Sequence, residues 1–295
     1  MKLFYSSKYQ MDIGPHVFPT IKYKLIHDQL IKEGIAKEKD FVDPGMAPDK
    51  DILLVHTPEY VKKLKTGDFS IFEIYKMEIP YKKEFMEPSW ICANATIQAC
   101  KEALKTGIGV HIGGGFHHAF PNHGEGFCIL NDIAIGIRRC LKDKDIKKAM
   151  VIDCDLHQGN GTAVIFQNDP NVFTFSIHQE HNYPIKEKSD LDIGLEDGVG
   201  DEEYVACLES RVPSLLKEFK PDLVLYLAGA DPYKEDQLGG LALTIEGLKK
   251  RDELVIGEAR KAKIPVATVF GGGYARKVED TVTIHVNTIK TGLSL

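Results

Sequence analysis

The stretch "AMVIDCDLHQGNG", Ala149 to Gly161, opens as a buried strand and then changes character. Ala149, Met150, Val151 and Ile152 form an apolar run of strand length. Asp153, Asp155 and His157 follow at alternate positions. Side chains two apart on an extended chain point to the same side, so two carboxylates and an imidazole crowd one face where the hydrophobic run ends. Buried acids are costly unless they are paired or hold a metal. This strand end therefore speaks to the fold class and to chemistry at once.

Working outward, the same plan repeats. "KLFYS" at 2–6, "DILLVH" at 51–56, "IGVHI" at 108–112, "VFTFSIH" at 172–178, "DLVLYLA" at 222–228 and "IPVATVF" at 264–270 read as further strands. Most are apolar on both faces, as strands covered on both sides of a parallel sheet should be. Amphipathic helical patterns lie between them, at 89–106 (Trp90, Ala93, Ile97, Leu104) and 202–219 (Tyr204, Leu208, Val212, Leu215). Others cover about 131–142, 244–262 and 278–290. The alternation predicts an α/β fold with a mainly parallel sheet flanked by helices. No linker or repeat divides the chain, so residues 1–295 are expected to form a single domain.

Composition narrows the function classes. A hydrophobic content of 43% suits a sizeable core, and a net charge of −6 without a basic block argues against a phosphate-backbone binder. No direct nucleic-acid contact is expected. "MKLFYSSKYQ" lacks the apolar core of a secretion signal, and no run reaches the length of a membrane span. The six cysteines are scattered without a C-x-x-C pair, which reads as reduced thiols and a cytoplasmic location rather than a disulfide frame or a Cys-based zinc site.

The unusual residues all fall after strands. His117 and His118 follow the run at 108–112, Asp155 and His157 that at 149–153, Asp231 that at 222–228, and Tyr274 that at 264–270. Ligand sites of open α/β sheets gather at the carboxyl ends of strands, so these clusters should converge. Asp155, His157 and Asp231 would give a divalent metal three ordinary ligands with a place left for water. Taken singly, Asp155 reads as a helix cap and His157 as a core histidine; the third candidate at a separate strand end favours a metal. Two adjacent imidazoles after Gly113–Gly115 offer proton-transfer groups near neutral pH, although an exposed loop could hold them too. Tyr274 offers a phenol donor, a signal that says little by itself. Asp153 reads either as an acid orienting an imidazole or as part of a monovalent-cation site. The other eight histidines are given no catalytic part.

In combination, "GGGFHHAF", "GEGFCILND", "VIDCDLHQGNGT", "FSIH", "LAGADP" and "FGGGY" resemble, in order, the zinc-dependent histone deacetylases. The likeness runs from "FYSSKY" to Tyr274, and "GGGFHHAF" with "DQLGGLALT" looks most like the class IV branch and its bacterial relatives. The resemblance implies a three-layer arginase–deacetylase fold and metal-dependent hydrolysis of N-acyl-lysine amides, long fatty acyl groups among them. It makes Asp155, His157 and Asp231 the ligands of Zn2+, or of Fe2+, since the N/O donor set suits both. It makes His118 the general base and acid, His117 chiefly electrostatic, and Tyr274 the hydrogen-bond donor to the substrate carbonyl. Asp153 would orient His117 and, with Ser176, join a K+ site. Gly126, Phe127 and Leu238 would line the acyl-lysine tunnel, with Tyr183 as an opposite wall.

Two departures from the family pattern stand out. Asn160 replaces the aspartate that many members carry behind His118; an amide can orient the ring but leaves it more readily neutral. No equivalent is legible of the acidic rim residue that grips substrate backbone. The expected partners are acyl-lysine proteins or peptides, or acylated small amines. An acetylpolyamine deacetylase and a non-catalytic acyl-lysine reader remain the alternatives, while arginase-like binuclear chemistry lacks its bridging carboxylates.

Overall fold

In the computed structural model, which describes residues 2–294, the strand carrying the opening motif is buried along its whole length. In chain order the elements are β1 (Leu3–Phe4), α1 (Lys22–Lys32), β2 (Phe41–Val42), α2 (Asp49–Ile52), α3 (Pro58–Thr66), α4 (Ile71–Met77) and α5 (Met86–Thr106). There follow β3 (Ile108–His111), α6 (Asp132–Asp143), β4 (Ala149–Asp153), α7 (Asn160–Phe166), β5 (Val172–Gln179) and β6 (Leu191–Leu195). The chain ends with α8 (Asp201–Phe219), β7 (Leu223–Leu227), α9 (Ile245–Lys261), β8 (Val266–Val269) and α10 (Val278–Ser294).

The eight strands form one sheet in the order β2-β1-β3-β8-β7-β4-β5-β6, and every pairing is parallel. Because side chains alternate across a strand, each strand feeds two cores. Met150, Ile152, Val224 and Val266 pack with Ile26, Tyr204, Leu208, Val255 and Ile289 from α1, α8, α9 and α10. Ala149, Val151, Leu223, Leu225 and Ala267 pack on the opposite face with Cys100, Ile133, Ile137 and Phe166 from α5, α6 and α7. The result is three layers, helices over both faces of a parallel sheet.

Several expectations need correction. "DILLVH" is not a strand: Asp49–Ile52 is a one-turn helix, and the amides of Val55 and His56 both return to the Ile52 carbonyl. Pro48 before two aspartates in the first turn favours a helix start, and a four-residue apolar run is too short for periodicity to overrule it. Strands β2 and β6 escaped notice, one for being two residues long, the other because an edge strand with Asp192 and Gly194 carries little apolar signal. On the two long helices the buried stripes run through Ala103 and Leu216, leaving Leu104 and Leu215 only half-buried.

One buried ion pair braces the sheet's chemical end. Arg251 and Asp252 are both fully buried. The Arg251 guanidinium bonds Asp252 Oδ1 at 2.9 Å and donates to the carbonyls of Cys154 and Gly229, next to Asp155 and Asp231. Asp252 also accepts from the Tyr226 hydroxyl at 2.6 Å and the Thr288 hydroxyl at 2.5 Å. Removing one member of such a pair strands the other, at a cost of about 3–5 kcal/mol. Arg251→Met should therefore lower the stability measured by chemical denaturation by that amount; a loss under ~1 kcal/mol would show that the pair is dispensable to the fold.

Candidate active site

The strand order explains the convergence. β3, β8, β7 and β4 are successive neighbours in the sheet, so the four loops that leave their carboxyl ends lie side by side. The loop after β3 turns through Gly113, Gly114 and Gly115 at φ of 151°, 74° and 82°, conformations that side chains resist. A Cβ on Gly114 would sit 2.4 Å from Asp132 Oδ2. Asp132 in turn accepts from the amides of Gly115 at 3.2 Å and Phe116 at 2.8 Å, holding the approach to His117.

Asp155, His157 and Asp231 meet here, with one donor atom of each within 4.8 Å of the others. His157 Nδ1 lies 3.2 Å from Asp155 Oδ1 and 3.2 Å from Asp231 Oδ2. The other oxygens of the two acids are already used: Asp155 Oδ2 accepts from Gly272 N at 2.8 Å and Asp231 Oδ1 from Leu156 N at 3.0 Å. Asp231 Oδ2 is buried and has no hydrogen-bond donor, an orphan that a cation would satisfy. Burial works against a charge on His157, yet the carboxylates of Asp155 and Asp231 beside it outweigh that and push the ring up to about 10. Burial, with Asp155 beside it, raises Asp231 to about 6. The pocket thus calls for positive charge, and its donor set fits a divalent ion.

A second group of metal-ligating types among the described residues, Cys92, His111 and Asp132, differs in kind. His111 Nδ1 lies 2.9 Å from the Thr96 hydroxyl, its Nε2 2.9 Å from the Tyr9 hydroxyl, and Thr96 donates to Asp132 at 2.5 Å. With its polar atoms already matched, it reads as a satisfied buried network.

Around the first group stand the remaining candidates. His117 Nδ1 lies 2.7 Å from Asp153 Oδ2 and its Nε2 3.7 Å from Asp155 Oδ1. Burial opposes charge on His117, but Asp153 and Asp155 prevail and raise its pKa. His118 shows the reverse: burial, then the neighbouring His117 and His157, hold it well below the usual histidine range, while its Nδ1 meets Asn160 Oδ1 at 2.8 Å. Ser176 pairs in register with Asp153 across β4 and β5. Tyr274 lines the same pocket as both tandem histidines, Asp155 and His157. Burial, followed by Asp231 and Asp155, pushes its phenol well above the usual range, so it keeps its proton.

The pocket is a funnel. Gly126, Phe127, Leu238 and Tyr183 ring a mouth of about 240 Å³ that narrows to about 20 Å³ beside Asp155 and His157. Tyr183 stands edge-on to His118 at 5.2 Å between ring centres, and Phe127 edge-on to Tyr274 at 5.8 Å. Behind the throat, sharing Phe18, Tyr23, Phe116 and Phe127, lies an apolar chamber lined also by Met11 and Ile13.

Three residues at the site were not legible in the sequence. Lys22, fully buried in α1, donates to the carbonyls of Gly271 and Gly272 at 2.8 Å each and so pins the loop that ends in Tyr274. Nothing local marks it, because its partners are some 250 positions away. Asp236 accepts from Tyr274 N at 2.7 Å and Leu238 N at 2.9 Å, tying the phenol to the tunnel wall. Glu78 lines the mouth as the left-handed C-cap of α4, at φ 58°. It places an acid at the mouth, where the sequence left none legible, and the signal passed over is "MEIP" after a short amphipathic stretch.

Comparison with known proteins finds relatives over nearly the whole chain. The family described as "Histone deacetylase domain" matches residues 16–289. An uncharacterised protein of Picosynechococcus sp. is 41% identical, covering 92% of this chain and 90% of its own. Histone deacetylase 2 of Arabidopsis thaliana is 30% identical over 96% of this chain and 78% of its own. The acetoin utilization protein AcuC of Staphylococcus aureus is 29% identical over 88% and 72%. The HD domain of HDA15, a solved structure, superposes with a TM-score of 0.83 at 19% identity, covering 100% of this chain and 91% of that one, which speaks for the fold. The chain belongs to the histone deacetylase family.

Proposed function

We propose that this protein hydrolyses N-acyl-lysine amides of proteins or peptides, using a divalent ion held by Asp155, His157 and Asp231. The observation that carries the proposal is the meeting of an unsatisfied metal-ligand set, an acid–base pair and a protonated phenol at the foot of one narrow tunnel. The bound ion, Zn2+ or Fe2+, supplies Lewis-acid polarisation of the acyl carbonyl and of the attacking water. The chain's own groups do the rest. His118, neutral at rest, takes the proton from the water through Nε2, since Nδ1 is engaged by Asn160. His117, whose charged form Asp153 and Asp155 favour against burial, stabilises the negative charge that develops and, when protonated, is a proton source for the departing amine. Tyr274 donates to the carbonyl oxygen as it becomes an oxyanion. Gly126, Phe127, Leu238 and Tyr183 keep the lysine methylenes out of water, and Glu78 accepts from the substrate backbone at the rim. K+ at Asp153 and Ser176 would stiffen the loop that presents His117. We read the chain as one catalytic domain of the class IV type, working in the cytoplasm.

An apolar chamber behind the throat supports a reading of the acyl group. Its free volume as it stands is about 30 Å³, room for about two waters, which suits an acetyl methyl. A long acyl chain would require Met11 and Phe18, which line the chamber, to turn aside. A second reading, deacetylation of acylated polyamines, draws on Glu78, whose exposed carboxylate suits an ammonium as well as a peptide amide.

The test is a set of lysine peptides carrying acyl groups from acetyl to myristoyl, with acetylpolyamines in parallel, each with and without chelator. Release of acyl groups from peptides, lost on chelation and restored by added Zn2+ or Fe2+, is the expected result. Metal at 100 to 1,000 times its Kd should also raise unfolding stability by about 3–4 kcal/mol. Turnover confined to polyamines would favour the second reading. Metal bound tightly with no turnover on any substrate would make the protein a reader.

A further inference from the structure

A histidine that works as a base through Nε2 must keep its proton on Nδ1, and the group facing Nδ1 decides this. Here that group is Asn160, and an amide has two different ends. Turned as observed, Oδ1 accepts from His118 Nδ1–H at 2.8 Å and from Gly161 N at 2.9 Å. Turned over, its NH2 would donate to Nδ1, the ring proton would move to Nε2, and the lone pair that receives the water's proton would be gone.

The far end of the amide meets Glu125. Asn160 Nδ2 donates to Glu125 Oε1 at 2.7 Å. Glu125 is 8% exposed, in the "GEGF" turn before Phe127. Its other oxygen lies 2.9 Å from Lys76 Nζ and 3.4 Å from His123 Nε2. Burial works against its charge, but His123, Lys76 and Asn160 outweigh it and hold the carboxyl at about 2. An ionised carboxylate only accepts, so it admits one orientation of the amide, and it polarises that amide toward His118.

We propose, on the hydrolase reading above, that Glu125 is the positioning residue of the base: it locks Asn160 and through it the Nδ1–H tautomer of His118. The carboxylate absent at position 160 stands one link further out, neutralised by Lys76 at the protein surface. This explains how the site retains a directed base with an amide behind it. His123, assigned no part from sequence, belongs to the outer end of this chain of contacts.

The test is a swap. Glu125→Gln keeps the shape but offers an NH2 as well as an oxygen, so Asn160 can turn over. It should lower kcat by about 10- to 100-fold with KM within about twofold. Asn160→Asp alone sets two carboxylates against each other and should also lose activity. Glu125→Gln with Asn160→Asp restores one acceptor-only group, now directly on His118, and should recover most of kcat. Nitrogen-15 histidine spectra of the metal-free protein supply a readout independent of turnover. His118 should be the Nδ1–H tautomer in wild type, a mixture in Glu125→Gln and Nδ1–H again in the double variant. Unchanged kcat and tautomer in Glu125→Gln, or a kinetic loss that the swap does not repair, would overturn the proposal. If Glu125→Gln does not fold, an Nε2–H tautomer in wild type overturns it equally. A wild type without amidase activity would sink the hydrolase reading, while the tautomer comparison would still decide the role of Glu125.

Discussion

His118→Ala should leave metal uptake intact and reduce turnover by about 10²- to 10⁴-fold, the range general acid–base help is typically worth. The reasoning is geometric. The three donor atoms that face one another belong to Asp155, His157 and Asp231, and His118 is not among them. Its ring is instead oriented by Asn160 and sits between Gly126 and Tyr183 at the mouth side of the throat. Burial and two neighbouring imidazoles keep it neutral, the state a base requires. Metal content by elemental analysis and kcat on an acetyl-lysine peptide check both halves. Loss of the metal would mean that His118 is a ligand, and undiminished turnover would remove it from the proton path.

Tyr274→Phe should cost about two orders of magnitude in kcat, since one donor to a developing oxyanion is worth roughly 3 kcal/mol. The variant removes a single hydroxyl. The ring would still pack edge-on against Phe127, and the loop would still be held by Asp236 at the Tyr274 amide and by Lys22 at Gly271 and Gly272. Folding stability and metal content should therefore remain as in wild type. KM should move far less than kcat, because the bond is strongest in the transition state. A variant with full activity would show that the phenol only fills space.

The comparison of sequence with structure is instructive at particular residues. Asp153, Asp155 and His157 announced themselves because polar groups at alternate positions after an apolar strand contradict burial, and a contradiction of that kind is local. The long helices were legible through the periodicity of Trp90, Ala93 and Ile97 or of Tyr204, Leu208 and Val212. The short elements were not: "DILLVH" holds too few apolar residues to distinguish a strand from the helical turn that Pro48, Asp49 and Asp51 begin. Lys22, Asp236 and Glu125 gave no usable sign, as each acts on residues distant in the chain or on backbone atoms that any residue carries.

By itself, then, the amino-acid sequence determined the parallel α/β class and the strand ends at which the candidate site residues gather, because those follow from periodicity and from the cost of burying charge. Only the tertiary structure decided that β3, β8, β7 and β4 are neighbours, which carboxylate oxygen is left unpaired, and what stands behind Asn160. Sheet order and hydrogen-bond partnership are settled by long-range packing, in which residues far apart in the chain compete for the same few places.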